Sequence, residues 1–179
     1  ATVAQMYMAE VISKYDSFLS TSNTTVYQDY AEALEYWRAD LDNAGMKAIV
    51  DIEPFVRVFD NVSGADVSFT TANAQALACK LKADHRVFAY YVADEFELPR
   101  KRLDGTTASL SNSAMGQVTD IFRTYDGCHP AIIVPVNPNS YFNGPYDHDI
   151  YDIFAPDAYV FGPNWEYGQN TLANPALLA

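Results

Sequence analysis

Short apolar runs return along this chain at a nearly fixed interval, and helical spacing fills the gaps between them. The runs are TVAQMYM from Thr2, MKAIVDI from Met46, VFAYYVA from Val87, AIIVPV from Ala131 and DAYVF from Asp157, with starts 44, 41, 44 and 26 residues apart. Near-continuous apolar strands belong to parallel sheets buried on both faces, and parallel neighbours need a crossover, usually a helix. The intervening segments supply it. Val26 to Ala44 carries Tyr27, Tyr30, Leu34, Trp37 and Leu41 at helical spacing, opens on the capping pair Thr25 and Gln28, and closes at Gly45. Thr71 to Asp84 repeats the pattern with Ala74, Leu77, Ala78 and Leu81, capped by Thr70 or Thr71. Ser109 to Asp126 does so with Leu110, Ala114, Val118, Ile121, Phe122 and Tyr125, and Gly127 stops it. A loop rich in Pro, Asn and Gly and a short helix near Tyr146 to Phe154 precede the last run. No hairpin signal is read, so the expectation is a parallel α/β fold.

Two such folds compete, an open doubly wound sheet and a closed (βα)8 barrel. Five strands use up the 179 residues, whereas a complete barrel takes about 250. The expected fold is therefore a parallel (βα) barrel, residues 1–179 forming a single domain that covers about five of eight strands, a fragment of the whole. No apolar run reaches about 18 residues, so no membrane-spanning helix is expected. The net charge of −12 would repel a phosphate backbone, which excludes nucleic acid as a partner. Acidity combined with 13 Tyr, 10 Phe and 2 Trp suits a protein that handles neutral polar molecules such as sugars.

The two cysteines, Cys79 and Cys128, show no metal spacing; free, buried thiols are expected, with a bond between them as the alternative, since 49 residues span about one repeat and adjacent helices could bring them together. Sequons at Asn23-Thr24-Thr25 and Asn61-Val62-Ser63 mark Asn23 and Asn61 as glycan acceptors and point to an extracellular, secreted setting. The N-terminal stretch ATVAQMYMAE has neither a basic n-region nor a long apolar h-region, so any signal peptide lies outside this chain.

Parallel α/β folds gather their chemistry at the carboxyl ends of strands. Those ends carry Asp51 and Glu53, then Asp94 and Glu95 with Glu97 close by, then Asn137 and Asn139, then Asp157 and Tyr159 followed by Asn164 and Trp165. Repeated carboxylates there need water, a cation or a polar substrate to solvate them. Period-2 spacing places Asp51 and Glu53 on one side of a strand, where pairing with Arg57 or Lys47 is the structural alternative. Asp94-Glu95 is sharper, since a buried strand runs straight into adjacent acids that repel each other. Neither G-x-G-x-x-G nor G-x-x-x-x-G-K-[ST] is present, and no G-x-S-x-G elbow occurs. His85, His129 and His148 stand away from the strand ends and are expected at helix termini or on the surface, so no zinc site is expected. Arg100-Lys101-Arg102, the one basic cluster, is expected as a solvated loop, with a dibasic processing site or an acidic-polysaccharide contact as alternatives.

These segments carry a resemblance. AGMKAIVDIEPF resembles the helix–Gly–strand approach to a middle strand of the (βα)8 glycoside hydrolases, and HRVFAYYVADEFELP looks like the later strand that ends in D/N-E-P. HPAIIVPVN and DIFAPDAYVFGP resemble the next two strands, the last with a D-x-Y pattern. The likeness spans roughly residues 30 to 162 and is of superfamily breadth. It implies that Glu95 is the general acid/base. Asp94 departs from the Asn found at that place in the best-known families. The second carboxylate, the nucleophile, lies in those enzymes on a later strand than any found here. By strand counting, the runs supply the second to sixth strands and lack the first, seventh and eighth. The chitinase signature D-x-x-D-x-D-x-E is absent.

Glycoside hydrolysis needs two carboxyl groups across the scissile bond, one of them kept protonated by burial or a neighbouring anion. The resulting expectation is hydrolysis of a carbohydrate's glycosidic bonds, with Glu95 catalytic and without cofactor or metal. Asp51, Glu53, Asp94, Asn137 and Asp157 would hold sugar hydroxyls. Tyr159 and Trp165, with Tyr90 and Tyr91, would offer rings for stacking, although core packing accounts equally for Tyr90 and Tyr91. One alternative is a non-catalytic carbohydrate-binding or structural extracellular protein on the same barrel. Another is a barrel enzyme with Mg²⁺ held by Asp51, Glu53, Asp94 or Glu95.

Overall fold

The computed structural model describes residues 2–6, 38–39, 41–136 and 147–155. In chain order the elements are β1 (Thr2–Met6), β2 (Met46–Asp51), α1 (Glu53–Phe59), α2 (Thr71–Leu81), β3 (Val87–Asp94), β4 (Arg100–Lys101), β5 (Thr107–Ala108), α3 (Asn112–Tyr125), β6 (Ala131–Val134) and β7 (Ile153–Phe154). Residues 38–39 and 41–44 are helical as well, and Gly45 leaves that helix at φ +63°, the left-handed residue that its sequence position predicts.

The main sheet has the order β1-β2-β3-β6-β7, and each neighbouring pair is parallel. The order follows the chain without reversal. Parallel crossovers are right-handed, so a sheet that always grows in one direction collects its helices on one face. The packing agrees. Phe55 and Val56 of α1, Leu77 and Leu81 of α2, and Met115, Val118 and Phe122 of α3 share one core with Val50, Val87, Val92 and Ile133 of the strands. Ala89, Tyr91 and Ile132 form a separate cluster with Ile49, Val134 and Ile153. A doubly wound sheet reverses its strand order and carries helices on both faces; neither feature occurs among the described residues.

Local chemistry sets the helix ends. The Thr70 hydroxyl accepts the Asn73 N–H at 3.3 Å and caps α2. Ser111 caps α3 by accepting the Ala114 N–H at 3.2 Å. Ser111 is itself held by Asp60, the residue that ends α1: its hydroxyl donates to Asp60 Oδ1 at 2.6 Å and its N–H to Asp60 Oδ2 at 3.1 Å. Arg102 completes the joint, with Nη2 2.6 Å from Asp60 Oδ2.

Several expectations need correction. β2 ends at Asp51, and Glu53 begins a helix, so the two acids do not share one side of a strand. The segment expected as a helix near Tyr146 to Phe154 is a 3-10 turn over His148–Ile150 followed by β7, which pairs with β6. The Asp152 carboxylate draws it into the sheet by accepting the Ala131 N–H at 2.8 Å. The expected strand from Asp157 lies outside the described residues. A hairpin is present after all, since β4 and β5 pair antiparallel. Its connection is the three-residue loop 103–105, closed by the Gly105 N–H on the Arg102 carbonyl at 3.0 Å and the Arg102 N–H on the Thr106 carbonyl at 2.9 Å, with Gly105 at φ +85° and Asp104 Oδ1 accepting the Thr106 N–H at 2.9 Å. A glycine in the left-handed position is what such a three-residue hairpin loop calls for. Cys79 and Cys128 are free as expected, yet both are exposed.

Candidate functional site

Asp51, Glu53, Asp94 and Glu95 stand at the carboxyl ends of β2 and β3, on one edge of the sheet. The chain turns there at Ile52, which has no side chain able to cap α1. Buried Asp51 takes over that task, its Oδ1 accepting the Glu53 N–H at 2.9 Å. Pro54 suits the first turn because a helix start leaves its N–H groups unpaired in any case.

Glu53 is buried. Its Oε2 accepts the Asp94 N–H at 2.8 Å, and its Oε1 lies 3.4 Å from Arg100 Nη2 and 4.0 Å from Arg57 Nε. Burial lifts this carboxyl above the usual glutamate value; the Asp94 N–H, Arg100 and Arg57 pull it back by less. Of the two pairings named from sequence, Arg57 is the one observed, while Arg100 approaches more closely.

β3 delivers the next two acids. Tyr91 donates its hydroxyl to Asp94 Oδ1 at 2.7 Å. Half-buried Glu95 has φ +41°, in the left-handed region that a side chain with a Cβ seldom enters. Its N–H donates to the Val134 carbonyl at 2.8 Å and its carbonyl accepts the Leu98 N–H at 2.9 Å. Two residues on, Glu97 Oε2 accepts the Val136 N–H at 3.2 Å, which ties this loop to the end of β6.

Arg100 lies across the turn. Nη2 donates to the Asp94 carbonyl at 2.7 Å, and Nη1 to the carbonyls of Glu95 at 3.1 Å and Leu98 at 3.0 Å. Arg102 is likewise engaged, donating to the carbonyls of Asp60 and Ser109. The basic cluster is therefore no simple solvated loop: two of its three side chains staple backbone carbonyls, and only Lys101 is exposed. Sequence reasoning missed this role for Arg100, although an arginine just after three acids was the available signal.

Tyr90 and Tyr91 are 1% and 4% exposed, so both rings pack inside rather than offer a stacking face. The Tyr90 hydroxyl donates to Asp126 Oδ2 at 2.8 Å. Burial, and then that carboxylate, push the phenol far above its ordinary value. His129 belongs to the same cluster, with Nδ1 2.6 Å from Asp126 Oδ2 and Nε2 3.1 Å from the Asp84 carbonyl; of the two places expected for it, it takes the helix terminus, just past the end of α3, and not the surface. His85 is at the surface as expected. This second cluster stands near the starts of β3 and β6, away from the carboxyl ends that carry the acids.

Asn23, Asn137, Asp157, Tyr159 and Trp165 lie outside the described residues. Asn61 is exposed, in the turn that follows α1. Among the described residues no helix is long and apolar enough to cross a membrane, and no group of three or more His, Cys, Asp or Glu is placed to hold a metal ion.

The edge thus carries a buried carboxyl whose pKa burial raises, beside further acids, a tyrosine hydroxyl and one guanidinium. That set can exchange a proton and hold polar groups. No family model matches this chain, and no curated protein matches it.

Proposed function

We propose that this chain is part of a (βα) barrel of glycoside-hydrolase type, with Glu95 as the general acid/base. Asp51, Glu53 and Asp94 line the same edge, and Asn137, Asp157, Tyr159 and Trp165 are proposed from the sequence as further carbohydrate contacts. The observation that carries this reading is the meeting of acids from successive parallel strands at one carboxyl edge, where Glu53 Oε2 takes the Asp94 N–H at 2.8 Å. Support for the barrel comes from the unreversed strand order and the single helical face. The extracellular setting belongs to the same proposal, and the exposed sequon residue Asn61 supports it.

A second reading, a carbohydrate-binding or structural protein on the same scaffold, draws on a different observation. Asp51 and Glu53 each accept a backbone N–H and Asp94 a tyrosine hydroxyl, which are structural uses. One experiment separates the two. The complete protein, of which this chain is proposed to be a part, is assayed on a panel of 4-nitrophenyl glycosides and soluble polysaccharides, alongside its Glu95→Gln variant. Loss of turnover by ~10²–10⁴-fold with an unchanged circular dichroism spectrum supports the acid/base role. Full activity in Glu95→Gln removes that role. Polysaccharide binding in affinity electrophoresis without any turnover favours the second reading.

A further inference from the structure

We infer that Arg100 is a positioning residue, a clamp that holds Glu95 in its left-handed backbone conformation and so fixes where the carboxyl stands. The catalytic meaning of this clamp rests on the proposed role of Glu95; the clamp itself does not. A non-glycine residue at φ +41° is disfavoured, and it persists only where its surroundings over-determine it. Arg100 supplies that surplus. Its guanidinium binds the carbonyls of Asp94, Glu95 and Leu98, so the peptide groups on both sides of the Glu95 α-carbon are pinned. The Asp94 N–H is pinned in turn by Glu53, whose other oxygen faces Arg100, and this closes a ring around the turn. The guanidinium side chain is 17% exposed, which shields these bonds from water. A lysine cannot replace it, because one ammonium lacks the planar fork that spans several carbonyls.

The test pairs stability with kinetics in the complete protein. Glu95→Gly removes the conformational penalty, and the melting temperature is expected to rise by about 2–4 °C. In an Arg100→Met background the turn relaxes, glycine relieves nothing, and its added chain entropy leaves the melting temperature unchanged or lower. An equal rise in both backgrounds overturns the clamp. On whichever 4-nitrophenyl glycoside the wild type cleaves, Arg100→Lys should lower kcat at least ~10-fold with KM within about twofold, the mark of a misplaced group. A change confined to KM overturns the positioning role. Absence of activity in the wild type removes the catalytic reading of Glu95, while the melting comparison still decides the clamp.

Discussion

A buried carboxyl that keeps its proton longer than usual leaves a signature in the pH dependence of folding, and Glu53 is such a group. Its folded-state value lies above the ordinary 4.5, with burial as the first cause. The folded protein therefore holds this proton more tightly than the unfolded chain. Its stabilising share is complete below about pH 4.5 and is lost as pH rises through the raised value. Urea titrations of wild type and Glu53→Gln between pH 4 and pH 7 are expected to show the balance moving toward the variant as pH increases. A difference that stays constant across that range refutes the assignment. The residue was visible in the sequence as an acid near a strand end. Its burial was not, because that depends on α1 folding back over the sheet.

Among elements, the joint between α1 and α3 makes a separate demand. Asp60 and Ser111 are far apart in the chain, yet Asp60 takes both the hydroxyl and the N–H of Ser111. Ser111→Ala removes the α3 cap and strips Asp60 of one partner, for an expected loss of about 1–2 kcal/mol in chemical denaturation. Ser113→Ala, at an exposed position in the same helix, is expected to stay within about 0.5 kcal/mol. Equal effects at the two sites would show that the cap and the Asp60 contact contribute nothing. The helices themselves were legible from spacing: α2 buries Ala74, Leu77, Ala78 and Leu81, the positions its periodicity names. The short elements were not legible in the same way. α1 has too few turns for a periodic signal, and β4 and β5 have two residues each.

For the whole molecule, strand position orders local stability. β2 is flanked by β1 and β3, and β3 by β2 and β6, whereas the two-residue strands β4 and β5 stand outside the main sheet and add only a bridge from Val62 to Arg102 and the Ser63 N–H on the Lys101 carbonyl. Buried strands with two neighbours open only with the global core, while exposed ribbons open locally. Hydrogen-exchange mass spectrometry is expected to find the amides of β2 and β3 slowest and those of β4 and β5 among the fastest. Comparable protection of the ribbon and β3 contradicts this ordering.

Apolar patterning by itself determined the parallel α/β character, the places of β2, β3 and β6, and the two long described helices. A strand buried on both faces can tolerate few polar residues, and a helix must repeat its apolar stripe; both constraints are written in consecutive residues. The sequence also placed acids at the strand ends. Tertiary structure alone decided what those acids touch. Glu53 meets the Asp94 backbone and Arg100, and Asp126 meets Tyr90 and His129, across separations that no local pattern encodes. The left-handed turn at Glu95 is equally a tertiary outcome. Nothing in glutamate favours it, and bonds from the Val134 carbonyl of β6, the Leu98 N–H and Arg100 converge on the peptide groups on either side of it.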